Sequence, residues 1–164
     1  MILVAVGTQF PFDRLVETVD KWAATSGTSD VIAQIGPSSF VPTAIQAHAF
    51  LPPAEFEALL ERADLVVAHC GMGSILSALS HGKRIVVMPR SAAKGEHRND
   101  HQHATAQRFS GRPGVTVAWD ETDLRNCLER SDHGAEDAHL QPIASKAPRQ
   151  LTDRLRAFLV EGQR

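Results

Sequence analysis

A doubly wound α/β domain built on a parallel, Rossmann-like sheet is the fold this sequence predicts. Three observations carry it. Short unbroken apolar runs recur along the chain, stretches with helical apolar spacing separate them, and small-residue turns join one to the next. Such alternation implies parallel strands with helices on both faces.

The elements follow in order. Ile2 to Val6 is apolar throughout and reads as a buried strand. After GTQFP, the residues Phe12, Leu15, Val16, Val19, Trp22 and Ala23 keep helical spacing, with Pro11 near the first turn. Val31 to Gln34 and Ile45 to Leu51 are the next strand candidates, separated by the loop GPSSFVPT. Pro53 opens a helix through Phe56, Leu59 and Leu60, and Leu65 to Ala68 is a further strand. Ile75, Leu76 and Leu79 mark another helix, with Gly82 where its C-cap is expected. Arg84 to Met88 and Val115 to Ala118 read as strands, Asn99 to Phe109 and Asp123 to Leu128 as helical. Residues 131 to 147 show no periodicity and read as a loop. A last amphipathic helix over 148 to 161 carries Leu151, Leu155, Phe158 and Leu159. The 164 residues suit a single domain, and neither a repeat nor a low-complexity segment interrupts them.

Composition narrows the function. A formal net charge of −2 gives no basic field for nucleic acid. Cys70 and Cys127 are too few for a disulfide framework and suit a reducing cytoplasm. No apolar run approaches the roughly 20 residues that span a bilayer, and MILVAVG lacks the basic flank of a signal peptide.

In a sheet of this kind ligands bind outside the carboxyl ends of the strands, and three turns there carry unusual residues. In HCGMGS, Gly71 and Gly73 let the backbone approach a ligand, and Ser74 is suited to N-cap the next helix. Exposed amides at that helix end would hold phosphate or pyrophosphate; a plain tight turn is the alternative. Leu76 stands where a dinucleotide fingerprint needs its third glycine, and neither a Walker loop nor a nucleophile elbow fits the spacing. In GEHRNDHQH, His97 and His101 lie one helical turn apart, but Arg98 occupies the glutamate position of a zincin, so no metal is expected. Asp100 and Gln102 offer hydrogen bonds suited to vicinal sugar hydroxyls, while Arg90, Lys94 and Arg98 could neutralise phosphate or carboxylate. A solvated helix start capped by Asn99 or Asp100 is the alternative. VGTQFPF brings Gly7 and Thr8 to the same rim, and His69 ends its strand either as a ligand contact or as a packed histidine.

Taken together, VGTQFPFDRLVETVD, FLPPAEFEALLERADLVVAHCGMGSILSALSHGKRIVVMPR and GEHRNDHQHATA resemble the C-terminal nucleotide-sugar domain of family 28 GT-B glycosyltransferases. The likeness covers roughly residues 1 to 120. It is closest to stand-alone bacterial subunits of exopolysaccharide synthesis, and is similar to the catalytic half of the split eukaryotic dolichol-pathway N-acetylglucosaminyltransferase. The resemblance implies that Gly71, Met72, Gly73 and Ser74 hold the donor pyrophosphate, with Gly7 and Thr8 lining the same pocket; His69, Arg90 and Glu96 are further candidates for binding the donor. It places Phe50 and Leu51 at the uracil, and Asn99, Asp100, His101 and Gln102 at the donor sugar, with Asp100, Gln102 and Arg98 as the catalytic candidates. Ser77 stands where relatives carry a carboxylate for the ribose hydroxyls.

It further implies one half of a GT-B enzyme, with a UDP-sugar as donor substrate and no cofactor or required metal. Its partner would be a membrane-anchored subunit presenting a lipid-pyrophosphate-linked saccharide, which would place the chain in the cytoplasm at the inner membrane. A non-catalytic nucleotide-sugar module and a sugar-nucleotide epimerase of related fold are the other readings.

Overall fold

The computed structural model describes residues 1–132, 140–143, 149–150 and 153–154. Its elements are β1 (Ile2–Ala5), α1 (Asp13–Ser26), β2 (Val31–Gln34), β3 (Gln46–His48), α2 (Pro53–Arg62) and β4 (Leu65–His69). They continue with α3 (Met72–Ser80), β5 (Arg84–Met88), a single 3-10 turn at Ala92–Lys94, α4 (His101–Phe109), β6 (Val115–Val117) and α5 (Glu121–Asp132). The six strands are all parallel and lie in the order β3-β2-β1-β4-β5-β6. The chain therefore winds outward in one direction from β1, crosses back, and winds outward in the other from β4. That reversal leaves a crevice at the carboxyl ends of β1 and β4, which are direct neighbours.

The unbroken apolar runs are explained by two cores, one on each face. Val4 and Val6, Leu65 and Val67, and Val86 and Met88 point to the face covered by α1 and α5. Leu3 and Ala5, Val66 and Ala68, and Ile85 and Val87 point to the face covered by α2, α3 and α4. A strand buried on both sides has no polar alternate positions. Cys70 and Cys127 are both buried free thiols.

Several expected boundaries shift, each for a local reason. The strand expected over 45–51 shortens to three residues. Ahead of it, one carboxylate oxygen of buried Asp20 on α1 accepts the N–H groups of Thr43, Ala44 and Ile45 at 3.0, 2.7 and 3.2 Å. Behind it, the Leu51 N–H donates to the Gln34 side chain at 2.9 Å. Those amides are taken before a ladder can claim them. The helix expected from Asn99 begins at His101, with Asp100 as its N-cap residue. Ser74 does not cap α3: Gly71 is the N-cap residue, no side chain bonds the helix end, and Ser74 lies inside the first turn. Gly82 falls one residue beyond the C-cap, His81. Of the loop expected over 131–147, residues 131 and 132 complete α5 instead, and Ile143 donates its N–H to Leu79 at 3.1 Å. The remainder of that stretch, and most of the helix expected over 148–161, lie outside the described residues; 149, 150, 153 and 154 are helical.

Three amides on one buried carboxylate make a costly set of bonds to lose. Asp20→Ala is expected to lower the unfolding free energy by about 2–4 kcal/mol, measured by urea unfolding. A loss below about 1 kcal/mol would show that water replaces the carboxylate at no cost.

Candidate functional site

The three turns singled out in the sequence converge on the crevice beside β1 and β4. The first follows β1, where Gly7 takes a left-handed φ of +82°. The second follows β4. Its His69 directs Nδ1 at the Ala5 carbonyl oxygen, 3.2 Å away, so the ring donates from Nδ1 and Nε2 carries the lone pair. The imidazole fills the gap between two glycines. A Cβ on Gly71 would lie 2.3 Å from His69 Nε2, and one on Gly7 would lie 3.3 Å from Cε1. Burial lowers the pKa of His69, and the neighbouring Arg90 and His97 charges lower it further, so the ring is neutral at pH 7.

Beyond Gly71, the first-turn amides of Met72, Gly73 and Ser74 have no intrahelical acceptor and no side-chain cap. The N–H of Gly71 itself is already donated to the His69 carbonyl at 2.8 Å. The predicted cradle therefore presents three open donors at the positive end of α3 rather than four. Ser77 is half-buried one turn further along α3. Met72 and Leu76 are exposed on the outer side of that helix.

The third turn, residues 89–100, is held from below by two arginines. Arg14 on α1 grips the Glu96 carboxylate with both Nε and Nη2, at 2.7 and 2.9 Å. The second Glu96 oxygen also accepts the Ser91 N–H at 2.8 Å. Arg90 is 3% exposed, and its guanidinium donates to the carbonyls of Val6, Phe10, Pro11 and Glu96. Its Cζ also lies 4.8 Å from the Phe12 ring centroid. Desolvation lowers the Arg90 pKa to about 10, against the pull of the Glu96 charge, so it remains a cation. Arg90 and Glu96, expected among the donor-binding residues, are thus committed to the protein's own main chain and to Arg14. Arg14 was not anticipated: it sits in an ordinary amphipathic helix, 82 residues before its partner.

Above Arg90 is a cavity of about 210 Å³, whose walls include Gly7, Thr8, Phe10, His69, His97 and Gln102. None of its lining residues carries a carboxylate. Gln102 is buried and gives its Oε1 to the Arg90 N–H at 3.1 Å, which leaves Nε2 as its remaining polar group. His97 packs against the Phe10 ring at 5.0 Å and edge-on to His101 at 4.6 Å, and its buried Nδ1 finds no partner. Phe10 and His97 were not among the expected site residues, although both lie inside turns that had been singled out.

The other sugar-motif residues lie on the rim and not in the cavity wall. Asp100 is exposed and accepts the Ala92 N–H at 2.7 Å through Oδ1, leaving Oδ2 open. Asn99 and His101 are exposed and bonded to each other. Arg98 is exposed with its Cζ 5.7 Å from the Phe10 centroid. Phe50 is 61% exposed, whereas the Leu51 side chain, expected at the uracil, is in the core. Among the described residues no three or more of His, Cys, Asp and Glu converge to hold a metal ion. No described helix is long and apolar enough to cross a membrane.

Comparison with known proteins bears on the family and the fold. The family model described as the glycosyltransferase family 28 C-terminal domain matches residues 1–154. Among solved structures, the chain is similar to the glycotransferase of kitacinnamycin, at 23% identity and a TM-score of 0.63. That match covers 95% of this chain and 39% of the other. It is similar to ALG13, solved by NMR in solution, at 19% identity and a TM-score of 0.58, covering 94% of this chain and 93% of that one. It is also similar to Os79 from O. sativa, solved in complex with UDP, at 18% identity and a TM-score of 0.60, covering 81% and 32%. At these identities the likeness speaks for the fold. No curated protein sequence matched the chain.

Two outcomes follow from the histidine between the glycines. Gly71→Ala would drive a methyl into the His69 ring, and is expected to cost about 1–3 kcal/mol and to move the His69 imidazole NMR signals. The folded-state pKa of His69 lies below its unfolded value of about 6.5, so between the two the unfolded chain binds more protons. Stability should therefore rise with pH through that window and be fully present above it. His69→Gln should flatten the slope, leaving the part due to His97, whose pKa is also lowered.

Proposed function

The chain belongs to the glycosyltransferase family 28 C-terminal domain family, and on that premise we propose that it is the donor-binding subunit of a two-component glycosyltransferase. The observation that carries the reading is the set of open α3 amides beside a cavity walled by neutral imidazoles, Thr8 and Gln102, without a carboxylate. Such amides suit a diphosphate, and the cavity suits an uncharged, hydroxyl-rich ring. UDP is the proposed nucleotide, with Phe50 and the Leu51 main chain facing the uracil; Os79, of the same fold, was solved with UDP.

In the reaction, the acceptor hydroxyl oxygen forms a bond to the anomeric carbon as the bond from that carbon to the β-phosphate oxygen breaks. UDP departs, and its new negative charge is met by the amides of Met72, Gly73 and Ser74 and by the helix dipole. Asp100 Oδ2 and Gln102 Nε2 orient the sugar hydroxyls, and Arg98 adds positive charge at the rim. The acceptor proton passes to a base on the partner.

The partner is proposed as a membrane-anchored subunit that presents a lipid-pyrophosphate-linked saccharide for exopolysaccharide synthesis. This would place the chain at the cytoplasmic side of the inner membrane. The size of the cavity supports a second component. A cavity of about 210 Å³ is smaller than the roughly 300–1,000 Å³ of sites that enclose a whole ligand. The chain spans 39% of the length of the kitacinnamycin glycotransferase and 93% of that of ALG13.

Calorimetric titration with UDP, UDP-glucose, UDP-glucuronate, UDP-N-acetylglucosamine and a GDP-sugar tests the donor site. Saturable binding of UDP in preference to GDP is expected, and absence of binding to every uridine compound would overturn the reading. Asp100→Ala should leave UDP affinity nearly unchanged and cut sugar transfer in the reconstituted complex about a hundredfold. Equal loss of both would place Asp100 at the nucleotide instead.

A further inference from the structure

We infer that Arg90 is the positioning residue of the site: its buried guanidinium fixes the main chain of the turn after β1, and with it the cavity wall formed by Gly7, Thr8 and Phe10. The functional consequence rests on the proposed donor site, but the structural claim does not.

A guanidinium has five N–H donors in a rigid plane. In Arg90 four of them are spent on carbonyls, Nη1 on Pro11 and Glu96, Nη2 on Val6 and Phe10. Three of those carbonyls belong to the turn that carries Gly7 and Thr8, and the fourth to the turn that carries His97. With both Nη1 and Nη2 spent on main-chain oxygens, a forked grip on phosphate or carboxylate is closed to this side chain. The carbonyls it holds lie in irregular chain, where no ladder or helix would otherwise satisfy them. Glu96, the nearest carboxylate, gives its oxygens to Arg14 and Ser91 and leaves Arg90 only its main-chain oxygen. The Arg90 N–H completes the arrangement by holding Gln102 through Oε1. One residue thus sets two turns and the orientation of a cavity side chain.

The test compares amide hydrogen exchange, thermal midpoint and UDP affinity in the wild-type chain, Arg90→Met and Arg90→Lys. Arg90→Met should speed exchange of the amides in 7–12 and 91–97 by about tenfold or more and weaken UDP binding by a similar factor, while β1, β4 and β5 stay protected. Arg90→Lys, with three donors on one nitrogen for four separated carbonyls, should fall between; if Arg90→Met does not fold, the comparison is read on Arg90→Lys alone. Wild-type exchange rates in both turns would overturn the inference. So would an increase spread evenly over the sheet, which would make Arg90 an ordinary core residue. If the wild-type chain binds no UDP, the donor reading fails, and the exchange data still decide the role of Arg90.

Discussion

An all-parallel sheet delivers the end of every strand to one edge, and that constraint organises the whole molecule. With β1 and β4 adjacent and the connections running away on either side, the turns after these two strands face each other across a gap. Everything with chemical character is built on that gap. The glycines flank His69 because the ring must fit between two backbones that the strand pairing brings together. The open amides of α3 reach the same place because β4 points at it.

A second layer of organisation lies beneath the gap and is polar. Arg14, Glu96, Arg90 and Gln102 link α1, the ends of β1 and β5, and the start of α4 through bonds that irregular main chain needs in order to be buried. Asp20 does the same for the approach to β3. All of these groups but Gln102 carry charge, and most of their bonds go to main chain and to one another. Charge in a turn near a ligand gap is therefore not by itself a sign of ligand contact.

This difference explains what could be read from the residues in advance. Strands announced themselves because two-sided burial leaves runs such as LVVA and RIVVM without a polar position. The crevice followed from the topology, and Gly7, Thr8, His69 and Gln102 are brought together there. Arg90 and Glu96 were assigned outward because their types suit phosphate and sugar, while partners such as Arg14 and the Val6 carbonyl are more than 80 residues distant in the chain and leave no trace in local spacing. Ser74 has the composition of a cap, but the helix starts earlier, at Met72, because Gly71 adopts the extended conformation that precedes it. The edge of β3 was overestimated because alternation says nothing about a carboxylate on α1 waiting for the same amides.

The burial of both cysteines has a practical bearing on how this molecule can be handled. Cys70, directly after His69, is 1% exposed, and desolvation pushes its thiol up to about 11, so only about one part in ten thousand is thiolate at neutral pH. Cys127, on the core-facing side of α5, is 7% exposed. Neither offers a reactive handle to a maleimide. A cysteine introduced at an accessible position with no assigned role, such as Val41, which is 79% exposed, would then be labelled almost alone, giving a site-specific fluorophore on the native background.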